Sequence, residues 1–282
     1  MQRWRVGDVT VSKVVELELA GKVTWILPDA TRENLLRDAW LRPHFVNERG
    51  DALLSVHAFV VESLGRRIVV DTCIGNDKHL AIPGWNQRQG PFLSDLAAAG
   101  FPADSIDTVL CTHLHVDHVG WNTRLENGRW VPTFRNARHL WSRREYEHWT
   151  KHGSSDYEQV LAESVRPVFD AGLVDLVADD SLVTDEVRLE PTPGHTPGHV
   201  SVHITSRGEE AVITGDLMHH PVQIAHPDWG SSADVDGPQA LATRTSFLRR
   251  YAGRPVLVLG THFAGPTGGR LVRDGDSLRL EV

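Results

Sequence analysis

Residues 112–120 read Thr112-His113-Leu114-His115-Val116-Asp117-His118-Val119-Gly120. Three imidazoles and a carboxylate fall within six positions, and all four side chains are good ligands for zinc-like divalent ions. A lone histidine in a loop needs no explanation, but a cluster this dense does. His113 and His115 are two apart, a spacing that points both side chains the same way in an extended segment. Asp117 and His118 follow where a strand would give way to a turn or helix start. The spacing therefore predicts one group of ligands facing one ion and the next group facing a second.

Each ion takes about four ligands, so this run cannot complete two sites alone. Three later segments can supply the rest. Pro191-Thr-Pro-Gly-His195-Thr-Pro-Gly-His199 is a loop stiffened by two Pro-Gly pairs. Ala211-Val-Ile-Thr-Gly-Asp216 is an apolar strand ending in a carboxylate, and Pro255-Val-Leu-Val-Leu-Gly-Thr-His262 is another ending in an imidazole. Ligands at the ends of buried strands suit a metal site built on a rigid sheet.

Together with Asp71, at the end of Arg67-Ile-Val-Val-Asp71-Thr, these motifs resemble the metallo-β-lactamase fold superfamily of metallohydrolases in order and spacing. The resemblance implies an α/β fold: a four-layer αββα sandwich, two mixed β-sheets flanked by helices. It also implies two divalent metal ions, zinc first, with manganese, cobalt or iron as alternatives. His113, His115 and His195 would hold one ion, Asp117, His118 and His262 the other, and Asp216 would bridge them. Asp71 would be structural, and His199 would brace its loop. The implied nucleophile is a hydroxide shared by the ions. Asp117 would be catalytic as well, orienting that hydroxide or carrying a proton to the leaving group. His219 stands three residues after Asp216, where lactonase-like members carry a substrate-contacting tyrosine. It reads either as a catalytic donor to an oxyanion or, with His220, as a brace for the loop.

Asp216 stands where the true β-lactamases have a cysteine or another residue. The ligand set is instead similar to that of the homoserine-lactone lactonases, glyoxalase II and the methyl-parathion-type phosphotriesterases. The residues after His262 read as strand and turn, unlike the helical extension with which glyoxalase II grips glutathione. The expected function is a dinuclear metal-dependent hydrolase of a lactone or carboxylic ester with an apolar part. A phosphotriesterase is the alternative. An iron-dependent redox enzyme of the persulfide dioxygenase kind, or a silent binding scaffold, would be the outcome if hydrolysis failed.

The 282 residues show no linker, repeat or low-complexity tract, so residues 1–282 read as one domain. Residues 1–50 form an N-terminal extension that in similar enzymes contributes a lid and homodimer contacts. The formal charge is −8, and the basic pairs Arg143-Arg144 and Arg249-Arg250 read as solvated helix faces, which argues against a nucleic-acid partner. No stretch suits a membrane span, and the N-terminal residues lack the apolar core of a secretion signal, so a cytoplasmic protein is expected. Cys73 and Cys111 read as reduced, buried thiols.

Nine tryptophans are many for this length. Trp25, Trp40, Trp85, Trp121, Trp130 and Trp229 fall in or near expected loops, where aromatic walls would favour apolar substrates. Trp121 is the first choice for the wall, with Asn122 hydrogen-bonding behind the ligands. The expected strands are 9–19, 54–62, 67–70, 108–111, 200–205 and 211–214. The expected helices are 31–40, 92–99, 142–151, 157–165 and a last one from Gly237-Pro238 to about residue 251.

Overall fold

Along the strand Ala52–Ser63, Phe59 and Val61 turn to one side and Ala58 and Val60 to the other, and all four are buried. A strand apolar on both faces must lie between two layers. The computed structural model, which describes residues 1–152 and 155–282, shows this layering throughout.

The first sheet runs β1 (Gln2–Val6), β2 (Val9–Gly21), β3 (Ala52–Ser63), β4 (Arg66–Val70) and β5 (Thr108–Leu110). A separate hairpin of β6 (Thr123–Glu126) and β7 (Arg129–Pro132) intervenes in the chain before β8 (Arg138–Ser142) and β9 (Val174–Val177) complete that sheet. β1 to β4 pair antiparallel, and β4, β5, β8 and β9 are parallel. The second sheet takes β10 (Leu182–Thr184), β11 (Val187–Pro191), β12 (Val200–Ser206), β13 (Glu209–Ile213), β14 (Val256–Leu259), β15 (Gly268–Asp274) and β16 (Ser277–Glu281) in chain order. Only β13 and β14 pair parallel there.

Strand alternation sorts the apolar residues into three cores. Val61, Ile68, Val70 and Leu110 meet Val202, Ile204, Ile213 and Leu259 between the sheets. Val60, Val69 and Val109 face the other way, onto Leu96, Val160 and Val165 of the helical layer. Val212, Val258 and Leu271 face Phe247, Leu248 and Tyr251 of the helix Gly237–Tyr251 on the opposite side. This is the expected four-layer αββα sandwich. Leu27, Leu35, Leu41 and Phe45 of the N-terminal segment pack into that last core.

Two expected helices are broken. Thr31 caps Arg32–Arg37 through the Asn34 N–H, but a separate 3₁₀ turn, Ala39–Leu41, follows. The segment expected as one helix over 157–165 is Ser155–Val160 followed by a π-turn, Leu161–Val165, and then Arg166–Asp170. Pro167 has no N–H to give to the Glu163 carbonyl. That carbonyl instead accepts from Lys78 Nζ at 3.1 Å and from the Thr123 hydroxyl. Among the described residues no helix is long and apolar enough to cross a membrane.

Candidate metal centre

Five strand ends meet at one edge of the sandwich. β4 runs into Asp71, β5 into His113, β11 into the His195 loop, β13 into Asp216 and β14 into His262. His118 lies on the short helix Val116–Val119. Thr72 N–H donates to the His118 carbonyl and Gly120 N–H to the Cys73 carbonyl, each at 2.8 Å. That stitching brings Gly120 so near that a Cβ there would lie 1.8 Å from the Ile74 carbonyl oxygen.

The seven expected donors converge in two groups. In the first, His115 Nδ1 lies 3.0 Å from His113 Nε2 and 2.9 Å from His195 Nε2. Asp216 Oδ2 is 3.4 Å from His195 Nε2 and 3.7 Å from His113 Nε2. In the second, Asp216 Oδ1 is 3.3 Å from His118 Nε2 and 3.1 Å from His262 Nε2. Asp117 reaches His118 Nε2 at 3.8 Å and His262 Nε2 at 3.5 Å. Asp216 thus presents one oxygen to each group.

Donors about 2.0–2.2 Å from one tetrahedral ion stand roughly 3.3–3.6 Å apart, which these separations bracket. Asp216 Oδ1 and His118 Nε2 are buried with no hydrogen-bond partner. Each such orphan costs about 1–3 kcal/mol unless something takes its lone pair. The donor set therefore fits divalent ions. Burial pushes His113, His115 and His195 well below the usual imidazole range, which keeps them neutral as ligation requires. Burial pulls His118 down too, but Asp216, Asp71 and Asp117 carry it well above its ordinary value. Burial raises Asp216, and His262, His118 and His219 outweigh it and hold the carboxyl well below.

The rings are aimed from behind. Asp71 accepts from the Thr112 N–H at 2.7 Å, the Thr112 hydroxyl at 2.9 Å and His118 Nδ1 at 2.9 Å. His118 Nε2 is thereby turned inward. His195 Nδ1 bonds Asp234 Oδ1 at 2.9 Å, and His262 Nδ1 lies 3.2 Å from the Ser55 carbonyl. His199 stays outside both groups. Its Nε2 accepts the Asp216 N–H at 2.8 Å, and its Nδ1 faces the Thr192 carbonyl at 3.1 Å. Burial lowers His199 to about 4, so it remains a neutral acceptor. His220 braces the Phe45 carbonyl at 2.9 Å. Sequence reasoning missed Asp234, which sits 39 residues from its partner with no local signal.

A cavity of about 240 Å³ opens onto this cluster. Its wall includes Trp25, Ile26, Leu54, Val56, Ile82 and Trp85, with His115, Asp117, Asp216, His219 and His262 at the base. Trp25 and Trp85 meet edge to face at 6.5 Å. His219 is buried with both ring nitrogens unpartnered, and its Nε2 stands 3.3 Å from Asp216 Oδ2.

The expectation that Trp121 forms the wall is wrong. Its ring is buried against Phe92 at 5.8 Å, and its indole N–H donates to Glu16 Oε1 at 2.7 Å. Glu16 reaches it from the bulge where the β2–β3 register shifts between Val15 and Leu17. Trp130 lies under the Lys78 ammonium at 3.7 Å, Trp40 meets Phe45 and Trp229 stacks on His226. Asn122 does bond behind the site: it accepts from the Thr72 hydroxyl, which also reaches the His118 carbonyl. Cys73 and Cys111 are free and buried.

The model of the metallo-beta-lactamase superfamily matches residues 52–262. The chain belongs to this superfamily. An N-acyl homoserine lactonase from a Bacillus species is 30% identical over 125 residues, which cover 44% of this chain and 43% of that relative. The N-acyl homoserine lactonase AiiA of Bacillus thuringiensis subsp. kurstaki is 28% identical with the same coverage. Each match thus spans less than half of either chain. Among solved structures, AidC, a dizinc quorum-quenching lactonase in complex with a product, has a TM-score of 0.80 at 21% identity. That alignment covers 99% of this chain and 96% of AidC. The hydrolase AbOPH of the beta lactamase superfamily has a TM-score of 0.80 at 23% identity, with 99% and 95% covered. At such identities these superpositions establish the shared superfamily fold.

Proposed function

We propose that the protein is a dinuclear metal-dependent hydrolase of neutral lactones or carboxylic esters that carry an apolar arm. The observation that carries this reading is the pair of donor groups sharing Asp216 at the base of an apolar cavity. His113, His115 and His195 would hold one ion, Asp117, His118 and His262 the other. Bound divalent ions, zinc first among them, would supply a water acidic enough to attack at neutral pH and Lewis acidity toward the carbonyl.

The chain's own side chains do the rest. Asp117 lies at the cavity base and is partly exposed there, so the carboxylate oxygen that does not hold an ion can take a proton and pass it to the leaving alkoxide. His219 has an unused ring N–H at the cavity base, placed to donate to a carbonyl oxygen as it gains charge. Trp25, Trp85 and Ile82 exclude water and bury the apolar arm. Among the described residues no Lys or Arg lines the cavity, so an anionic arm would be desolvated without a partner. The named lactonase relatives support the lactone as the first substrate to try. The N-terminal fifty residues act as the lid, through Trp25 and Ile26, and a homodimer built through that segment completes the reading.

The test is metal analysis followed by a panel of lactones, esters and phosphotriesters. Two ions per chain with turnover of neutral lactones or esters is the expected result. Metal-loaded protein inert on the whole panel, or one iron per chain with oxygen uptake, overturns it. Asp117→Asn should keep metal yet lose most of kcat, and light scattering checks the dimer.

A further inference from the structure

Glu145 lies on the helix Arg143–His152, is 1% exposed, and takes no part in either donor group. Acids are rarely buried so deeply unless paired, yet no cation faces this one among its hydrogen-bond partners. Three N–H groups bond it, and the Thr196 hydroxyl of the His195 loop also faces the carboxyl. Oε1 accepts from the Leu114 backbone at 3.1 Å and from the Trp149 indole at 2.6 Å, and Oε2 accepts from the Gly198 backbone at 3.0 Å. Leu114 lies between His113 and His115. Gly198 lies between His195 and His199. One carboxylate therefore ties the loop bearing two donors of the first group to the loop bearing the third.

The surroundings grip the same peptide from its other side. The Tyr157 hydroxyl donates to the Leu114 carbonyl, so the unit between His113 and His115 is held at both its N–H and its C=O. Trp149 stacks on Tyr157 at 3.8 Å and meets the His115 ring at 5.2 Å and 61°. The approach of the two loops is close enough that a Cβ at Gly198 would fall 2.2 Å from the Glu145 nitrogen. Position 198 must be glycine for the second loop to reach the carboxylate.

We propose that Glu145 is a positioning residue that sets the spacing of His113, His115 and His195, and through it the affinity and coordination geometry of the three-histidine site. The inference rests on the reading of those histidines as ligands. A carboxylate can accept all three N–H groups with its two oxygens. An amide has one acceptor oxygen and two hydrogens of its own, so in Glu145→Gln at least one of the three donors faces another donor. The loops must then shift, and ligand distances tolerate only about 0.2 Å.

Zinc titration against a chromophoric chelator, together with the absorption spectrum of cobalt-loaded protein, separates the outcomes. The unmodified protein comes first. If it binds no divalent ion, the ligand reading itself fails and this proposal with it. If it binds two, Glu145→Gln is expected to hold one ion as before and the other about 10–100-fold more weakly, with an altered cobalt spectrum. Asp71→Asn should weaken the opposite site instead. Unchanged affinities and an identical cobalt spectrum in Glu145→Gln overturn the proposal, even if the melting temperature falls, because a merely structural clamp would lower stability alone. If Glu145→Gln does not fold, Trp149→Phe removes the indole donor and keeps the carboxylate. A several-fold weakening at the same site supports the proposal, and wild-type affinity overturns it.

Discussion

Asp71 allows a perturbation in which backbone and side-chain effects separate. It sits at φ 59°, in the left-handed region, which asparagine enters nearly as readily as aspartate and alanine does not. Asp71→Asn therefore keeps the backbone and changes the chemistry alone. The carboxylate receives the Thr112 N–H, the Thr112 hydroxyl and His118 Nδ1, and all of these groups are buried. An amide turns its NH₂ toward at least one of them. A buried donor left facing a donor costs about 1–3 kcal/mol. At about 2–4 °C per kcal/mol for a chain near this size, the metal-free melt should fall by roughly 2–12 °C. His118 also loses the group that turns Nε2 inward, and losing such a partner costs about 10–100-fold in metal affinity. Asp71→Ala should melt lower still, since it adds about 1–2 kcal/mol of left-handed strain. Scanning calorimetry on chelator-treated protein and zinc titration measure both effects. Asp71→Asn with an unchanged melt and unchanged affinity would refute the account of Asp71 as the group that orients His118. Asp71→Ala as stable as Asp71→Asn would refute the backbone argument.

Gly120→Ala should abolish soluble folded protein or sharply lower the urea midpoint, because its Cβ would meet backbone that no rotamer can move. A normal midpoint would contradict the close crossing. Burial lowers Lys78 from 10.5 to about 7, so between those values the unfolded chain binds more protons than the folded one, and the Lys78 contribution favours folding increasingly as pH rises. The stability of wild type relative to Lys78→Met should thus grow by on the order of 1–2 kcal/mol from pH 7 to 8.5, and parallel pH profiles would rule this out. Trp25→Ala should raise KM about 5–30-fold for substrates with a long apolar arm, since roughly 1–2 kcal/mol of apolar contact is lost. An equal rise for substrates without the arm would show that Trp25 does not hold it.

Much of the fold was legible where burial is written into local pattern. β3, β4, β12 and β13 are apolar runs bounded by turn residues, and each was expected close to where it lies. β8, with Arg-His-Leu-Trp-Ser, and the short β9 to β11 were not expected, because their burial comes from neighbouring layers and their own composition does not show it. The π-turn at Leu161–Val165 escaped for a related reason. Pro167 frees the Glu163 carbonyl, and two distant donors, Lys78 and Thr123, make that arrangement favourable.

The amino-acid sequence by itself determined which side chains could take an ion and which strands would carry them. Few residue types have the right lone pairs, and strand period is a local property. The tertiary structure alone decided that His115 turns Nδ1 inward while its neighbours turn Nε2, and that Asp216 divides its oxygens between two groups. It also decided that Asp234 stands behind His195 and that Trp25 and Trp85, rather than Trp121, wall the cavity. Each of these depends on a contact between segments tens of residues apart or more. Whether two such segments meet is settled by the packing of whole layers, which no single stretch of chain encodes.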